Sequence, residues 1–184
     1  YTASDRQQGR HRPFYSRVDI EAWVQLEALP PVVPVQQALQ VEWKKNYKFV
    51  LAFVDGAEGN PDAVAAAAAT NAAMLEAYPR YKGRCVNVLV NVSAADDSQR
   101  ALEYFGVSAE DVNSATVSSV KAMHMPLVRG FDNSDNSKFH PQTARTQAVR
   151  EGRMSLGDYL VDFAEDMLNG RVKPSLKSQA PGVK

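Results

Sequence analysis

The chain has 184 residues, enough for one domain with a substantial core, and its 45% AVILMFWYC and 23% charged residues exclude wholesale disorder. Lys+Arg and Asp+Glu both number 21, so no overall basic field draws the chain to nucleic acid. A single cysteine, Cys85, excludes an internal disulfide, a CxxC redox pair and any zinc site built from several cysteines.

Residues 1–17 are rich in Arg and Gln and carry little apolar periodicity. Val18 to Leu29 reads as an amphipathic helix that Asp19 can cap, with Ile20, Trp23, Val24 and Leu26 clustered on one side. Pro30 and Pro31 stop it. Val32-Val33-Pro34-Val35 predicts a short strand that Pro34 confines to an edge. Gln36 to Lys44 predicts a short helix, and Tyr47 to Val54 a strand covered on both faces.

Asn60 followed by Pro61 marks a helix start, and the Ala-rich run continues to about Tyr78, where Pro79 is expected to end it. Arg84 to Val92 is a second long strand, dominated by β-branched residues. Asp96 or Asp97 is expected to cap a further helix that turns Leu102 and Phe105 inward and ends at Gly106. The polar, Ser-rich residues 108–124 read as a loop or inserted element. Met125 to Phe131 predicts a strand opened by proline, Asn133 to Asn136 a turn, and Ser137-Lys138-Phe139 a returning strand. Ser155 caps a last helix with the stripe Leu156, Tyr159, Leu160, Phe163, Met167 and Leu168, terminated by Gly170.

Alternating strands and helices followed by a hairpin and a closing helix imply an α/β thioredoxin-like fold, with a mixed central sheet and helices on both faces. No segment approaches the ~20 apolar residues needed to cross a bilayer, so no membrane partner is expected. Tyr1 at the start and Ser178-Gln179-Ala180-Pro181-Gly182 near the end suggest a piece of a longer protein. The C-terminal Gly182-Val183-Lys184 carries no retention tetrapeptide.

Three stretches resemble the b′-type domain of protein disulfide isomerases. Gln99-Arg100-Ala101-Leu102-Glu103-Tyr104-Phe105-Gly106-Val107 is similar to the end of that family's third helix, and Met125-Pro126-Leu127-Val128-Arg129 to its Pro-hydrophobic-Val-Arg strand. Leu168 to Gln179, containing Gly170-Arg171-Val172-Lys173-Pro174 and Lys177-Ser178-Gln179, resembles its exit into an interdomain linker. Leu29-Pro30-Pro31-Val32-Val33 looks like the domain's start. The chain departs from the pattern in the longer span between Val107 and Pro126, in an enlarged 140–154, and in Pro34, where the family prefers an acid.

The resemblance implies a domain over 29–172 and a linker tail over 173–184. Residues 1–28 would be the remnant of a preceding thioredoxin-like domain or a linker. It further implies a non-catalytic unit that captures apolar segments of unfolded polypeptides, beside neighbouring thioredoxin-like domains, in the lumen of the endoplasmic reticulum. The alternative is a scaffolding domain whose cleft holds its own linker or a fixed partner. In the first reading the parent is a protein disulfide isomerase, with CxxC-bearing domains beside this one, and this part is not expected to be an enzyme itself.

Catalysis in this fold needs a thiolate at the start of the first long helix, and the turn Asp55-Gly56-Ala57-Glu58-Gly59-Asn60-Pro61 contains no cysteine. By the same resemblance Val35, Leu39, Trp43, Tyr104 and Phe131 line a peptide pocket, each weighed against an ordinary core or surface role. Pro126 matches the family's cis-proline next to that cleft. Cys85 reads as a buried structural thiol. His11, His124 and His140 have no partners at ligand spacing, so neither a metal nor another cofactor is expected. Asp96-Asp97 and Glu165-Asp166 read as helix caps and solvated faces.

Overall fold

The computed structural model describes residues 16–43, 45–93, 95–112 and 125–175, with the backbone alone at 95–97. The expected features at 1–15 and 113–124 and in the tail from 176 onward lie outside the described residues.

Five strands form one sheet: β1 (Val33–Pro34), β2 (Lys48–Val54), β3 (Cys85–Asn91), β4 (Leu127–Asp132) and β5 (Ser137–Phe139), in the order β1-β3-β2-β4-β5. β1 and β2 both run parallel to β3, with Val33 opposite Val88 and Leu51 opposite Val88 from the other side. β4 is antiparallel to β2, setting Phe49 against Phe131, and β5 is antiparallel to β4. Among the described residues the named helices are α1 (Arg17–Ala28), α2 (Val35–Gln40), α3 (Pro61–Tyr81), α4 (Ala95–Phe105), α5 (Thr143–Arg150) and α6 (Leu156–Leu168). The fold is thioredoxin-like α/β. Among the described residues no helix is long and apolar enough to cross a membrane.

The central position of β2 explains its unbroken apolar run. Phe49, Leu51 and Phe53 point into one core with α2 and α4; Val50 and Ala52 point into the other, with Met74 of α3 and Leu160 and Phe163 of α6. Successive side chains of a strand face opposite ways, so a strand covered twice must be apolar throughout. Gly130 of β4 lies where α6 comes closest: a Cβ there would stand 2.5 Å from Met167 Sδ and 3.0 Å from Phe163 Cζ.

Several local expectations are corrected. The cap of α1 is Ser16; its Oγ accepts from Asp19 N (3.2 Å), while Asp19 Oδ2 accepts from Ser16 N (3.2 Å), a reciprocal pair at the first turn. The helix also turns differently. Ala22, Leu26 and Leu29, spaced four and three residues apart, meet the core. Ile20, Trp23 and Val24 lie on the adjacent stripe, and Trp23 is 62% exposed. Ion pairs Lys45–Asp19 and Lys82–Glu27, both 3.0 Å, and the Gln25 Nε2 donation to Glu42 O fasten α1 to the domain.

Helix α3 does not stop before Pro79 but continues to Tyr81. Proline there deletes one backbone donor near the helix end, and tertiary anchoring of Tyr81 outweighs that loss. Its ring is wholly buried, and its hydroxyl donates to Asn87 Oδ1 at 2.7 Å; Asn87 Nδ2 in turn donates to Met74 O at 3.2 Å. Helix α4 begins at Ala95, so Asp96 and Asp97 fall inside its first turn and neither caps it. Residues 109–112, in the stretch read as a loop or inserted element, are helical, with Val112 buried.

Helix α5 was not expected at all. Its sequence, TARTQAVR, buries only Val149, and an ion cluster ties it down. The Asp166 carboxylate on α6 lies 2.5 Å from Arg145 Nη1 of α5 and 2.6 Å from Arg171 Nε. Asp166 is therefore a buried, twice-paired acid, not part of a solvated face. Beyond α6, Ser175 N and Oγ both donate to Lys138 O, at 2.7 and 2.9 Å, so the start of the expected tail is bridged to β5.

Candidate functional site

On the face shared by α2 and α4, a cavity of about 430 Å³ opens to solvent. Val35, Leu39, Trp43, Tyr104 and Phe131, all singled out from the sequence, line this one cavity. They come from α2, the segment after it, α4 and β4, elements separated by up to about a hundred residues of chain. The strand order makes this possible: β2 and β3 form the floor through Phe49, Leu51 and Val88, and the two helices form the walls.

The five differ in accessibility. Val35 is a wall of the core at 3% exposure, whereas Leu39 (58%) and Tyr104 (45%) stand at the mouth. Trp43 and Phe131 are half-buried between these extremes. Edge-on aromatic contacts hold the lining in place. Trp43 meets Phe49 at 5.0 Å between ring centroids and 83°, and Phe131 meets Tyr104 at 5.7 Å and 89°. Such pairs favour T-shaped geometry because the positive ring edge faces the negative ring face. The Lys138 ammonium sits 4.1 Å above the Tyr104 ring and donates to the Tyr104 carbonyl, which fixes the mouth on the β5 side.

Sequence reading missed Phe49, Leu51 and Phe105 as lining residues. Phe49 and Leu51 were visible as alternate members of the β2 run, but which face of the strand meets the cleft depends on the sheet. Phe105 was expected inward; it is half-buried, packing on Tyr104 and Phe131 at 5.2 and 5.9 Å. Arg100, Asn133 and Asn136 supply the polar rim.

The turn where a thiolate pair would stand holds a polar network instead. Asn91 Oδ1 accepts from Gly56 N (2.9 Å) and Ser93 N (3.1 Å), and Asp55 Oδ1 accepts from Ala57 N (3.1 Å) and from the Ser93 hydroxyl. Asn60 caps α3 by accepting from Asp62 N and Ala63 N. Cys85 lies away from this turn, at the opposite end of the parallel strands, and is buried at 3%. Burial pushes its thiol up to about 12, with Arg84 and Lys48 offsetting a part of the rise, so thiolate is scarce at neutral pH.

The expectation for Pro126 is overturned on two counts. Among the described residues no peptide bond is cis, so the Met125–Pro126 bond is trans. Trans is the intrinsic preference of an X-Pro amide by about 0.5–1 kcal/mol, and in this geometry the Met125 side chain reaches the core. Pro126 also lines a different cavity, with Arg129 and His140, and not the apolar one. No protein-family model and no curated protein sequence matches this chain.

Proposed function

We propose that this domain is a non-catalytic substrate-binding unit of a protein disulfide isomerase-type protein, which captures exposed apolar segments of unfolded polypeptides. One observation carries the reading: five residues chosen from the sequence line a single open apolar cavity, with Leu39 and Tyr104 exposed at its mouth. An exposed apolar concavity with a polar rim suits capture of side chains by burial, which rewards apolar area and tolerates differences in sequence. Backbone groups contribute little to the lining, so affinity per segment is modest and gains from tethering to neighbouring domains. The family resemblance implies the lumen of the endoplasmic reticulum as the compartment.

A second reading has an observation of its own. Ser175, the last described residue, is held against Lys138, whose ammonium lies over the Tyr104 ring, so it stands close to the cavity mouth. In that reading the cleft holds the domain's own linker.

Titration of the isotope-labelled domain with an unfolded, cysteine-free peptide separates these readings. Saturable amide shifts at Leu39, Trp43, Tyr104 and Phe131 support client capture. Shifts that appear only after the chain is shortened to end near Lys173 support the linker reading. Absence of shifts in both forms overturns the pocket.

A further inference from the structure

A second cavity, of about 260 Å³, lies beyond the start of β4, away from the apolar cleft, and α5 builds one of its walls. Its lining is rich in hydrogen-bond donors: Arg129 from β4, His140 after β5, Thr146 and Arg150 from α5, and Tyr159 from α6. Among the described residues no Asp or Glu lines it.

The donors are under-used. Arg129 Nη1 donates to Val128 O at 2.9 Å, but its buried Nε–H has no acceptor among the described residues. Among the described residues the buried Tyr159 hydroxyl meets only Thr146 Oγ1, at 3.4 Å, and Thr146 Oγ1 also donates to Gln142 O over a long 3.4 Å. Buried polar groups are otherwise almost always hydrogen-bonded. Charge is uncompensated too. Neither Arg129 nor Arg150 has an ion pair among the described residues, although burial disfavours the charged form of Arg129. Asp111 attracts Arg129 across space, but its carboxylate accepts from Ser108 N and Oγ, at 2.9 and 2.8 Å.

We propose that this cavity binds one phosphate group, as the free ion or as a monoester. Two guanidinium groups with no acid among the described lining residues match a dianion, and phosphate oxygens can accept from the arginine forks and from the Tyr159 hydroxyl, whose contact with Thr146 is long at 3.4 Å. A bound water could satisfy the orphan Nε–H but leaves both positive charges unbalanced. The volume holds a phosphate with a few attached atoms. The site shares no lining residue with the apolar cleft, so it stands or falls independently of the function proposed above.

The test is titration of the isotope-labelled 184-residue chain with inorganic phosphate at neutral pH and constant ionic strength, with chloride and acetate as controls. Saturable shifts at the Arg129 Nε–H and at the His140 and Thr146 amides are expected with phosphate alone. Arg150→Gln, at an exposed helical position, should weaken phosphate binding about tenfold while leaving the fold unchanged. A parallel arm with phosphoserine distinguishes a tethered phosphate, which binds at least as tightly, from a free-ion site, which excludes the monoester. Equal responses to chloride and phosphate, or full phosphate affinity in both Arg150→Gln and Arg129→Gln, overturn the assignment.

Discussion

The Tyr81 hydroxyl donates to Asn87 Oδ1 at 2.7 Å in the interior, joining the last turn of α3 to the middle of β3. Both residues are buried, and burial pushes the Tyr81 phenol well above its ordinary range. Tyr81→Phe keeps the ring and leaves the Asn87 carbonyl oxygen without this donor. The expected loss is about 1–3 kcal/mol of stability, the usual cost of an unsatisfied buried polar group. Urea unfolding of the two proteins measures it; an unchanged midpoint and slope would remove the anchoring role assigned to Tyr81.

The cleft predicts a separation between binding and stability. Tyr104 is 45% exposed at the mouth, whereas Phe53 is fully buried beneath it. Tyr104→Ala should weaken client binding by about 2 kcal/mol, as loss of an anchor does, with a smaller effect on folding. Phe53→Ala should cost about 3–5 kcal/mol of stability. Trp43, beside the same cavity, reports binding through its fluorescence. If Tyr104→Ala melts the domain and the folded fraction binds client as before, Tyr104 is a structural residue.

Cys85 should be silent in the folded protein. With its thiol pushed up to about 12 by burial, reaction with a disulfide reagent at neutral pH requires opening of the fold. Labelling should therefore be slow in buffer and fast in urea. The domain alone should not reduce insulin. Turnover that survives Cys85→Ser would point to a redox centre the chain's single thiol does not supply.

His140 gives a pH dependence of defined sign. Burial lowers its pKa, and the positive charges of Arg129 and Lys138 lower it further. The unfolded chain then takes up a proton near pH ~6.5 before the folded one does, so stability falls as the pH drops below that value. His140→Gln should flatten the stability profile in this window relative to the parent chain. A parent profile that is already flat between neutral pH and the onset of carboxylate titration excludes the effect.

Much of this architecture follows from local rules that a linear sequence obeys. The doubly covered β2, the Asn60-Pro61 start of α3, the Ser155 cap and the stripe of α6 each depend on neighbours within a few residues, and each lies where its pattern predicts. The five cleft residues were named through a family resemblance, and their convergence required the strand order β1-β3-β2-β4-β5 to bring α2, α4 and β4 together. What stayed hidden depends on distant partners. Helix α3 outlasts Pro79 because Tyr81 finds Asn87, α5 exists beside Asp166 because Arg145 pairs with it, and α1 turns Ala22 rather than Trp23 to the core. Such contacts join residues that share no periodicity, so their energies enter only once the chain has closed on itself. The second cavity belongs to the same class: the sequence places Arg129 in a strand motif, Tyr159 in a helix stripe and Arg150 in neither, and packing alone brings the three around one space with no acid among the described lining residues.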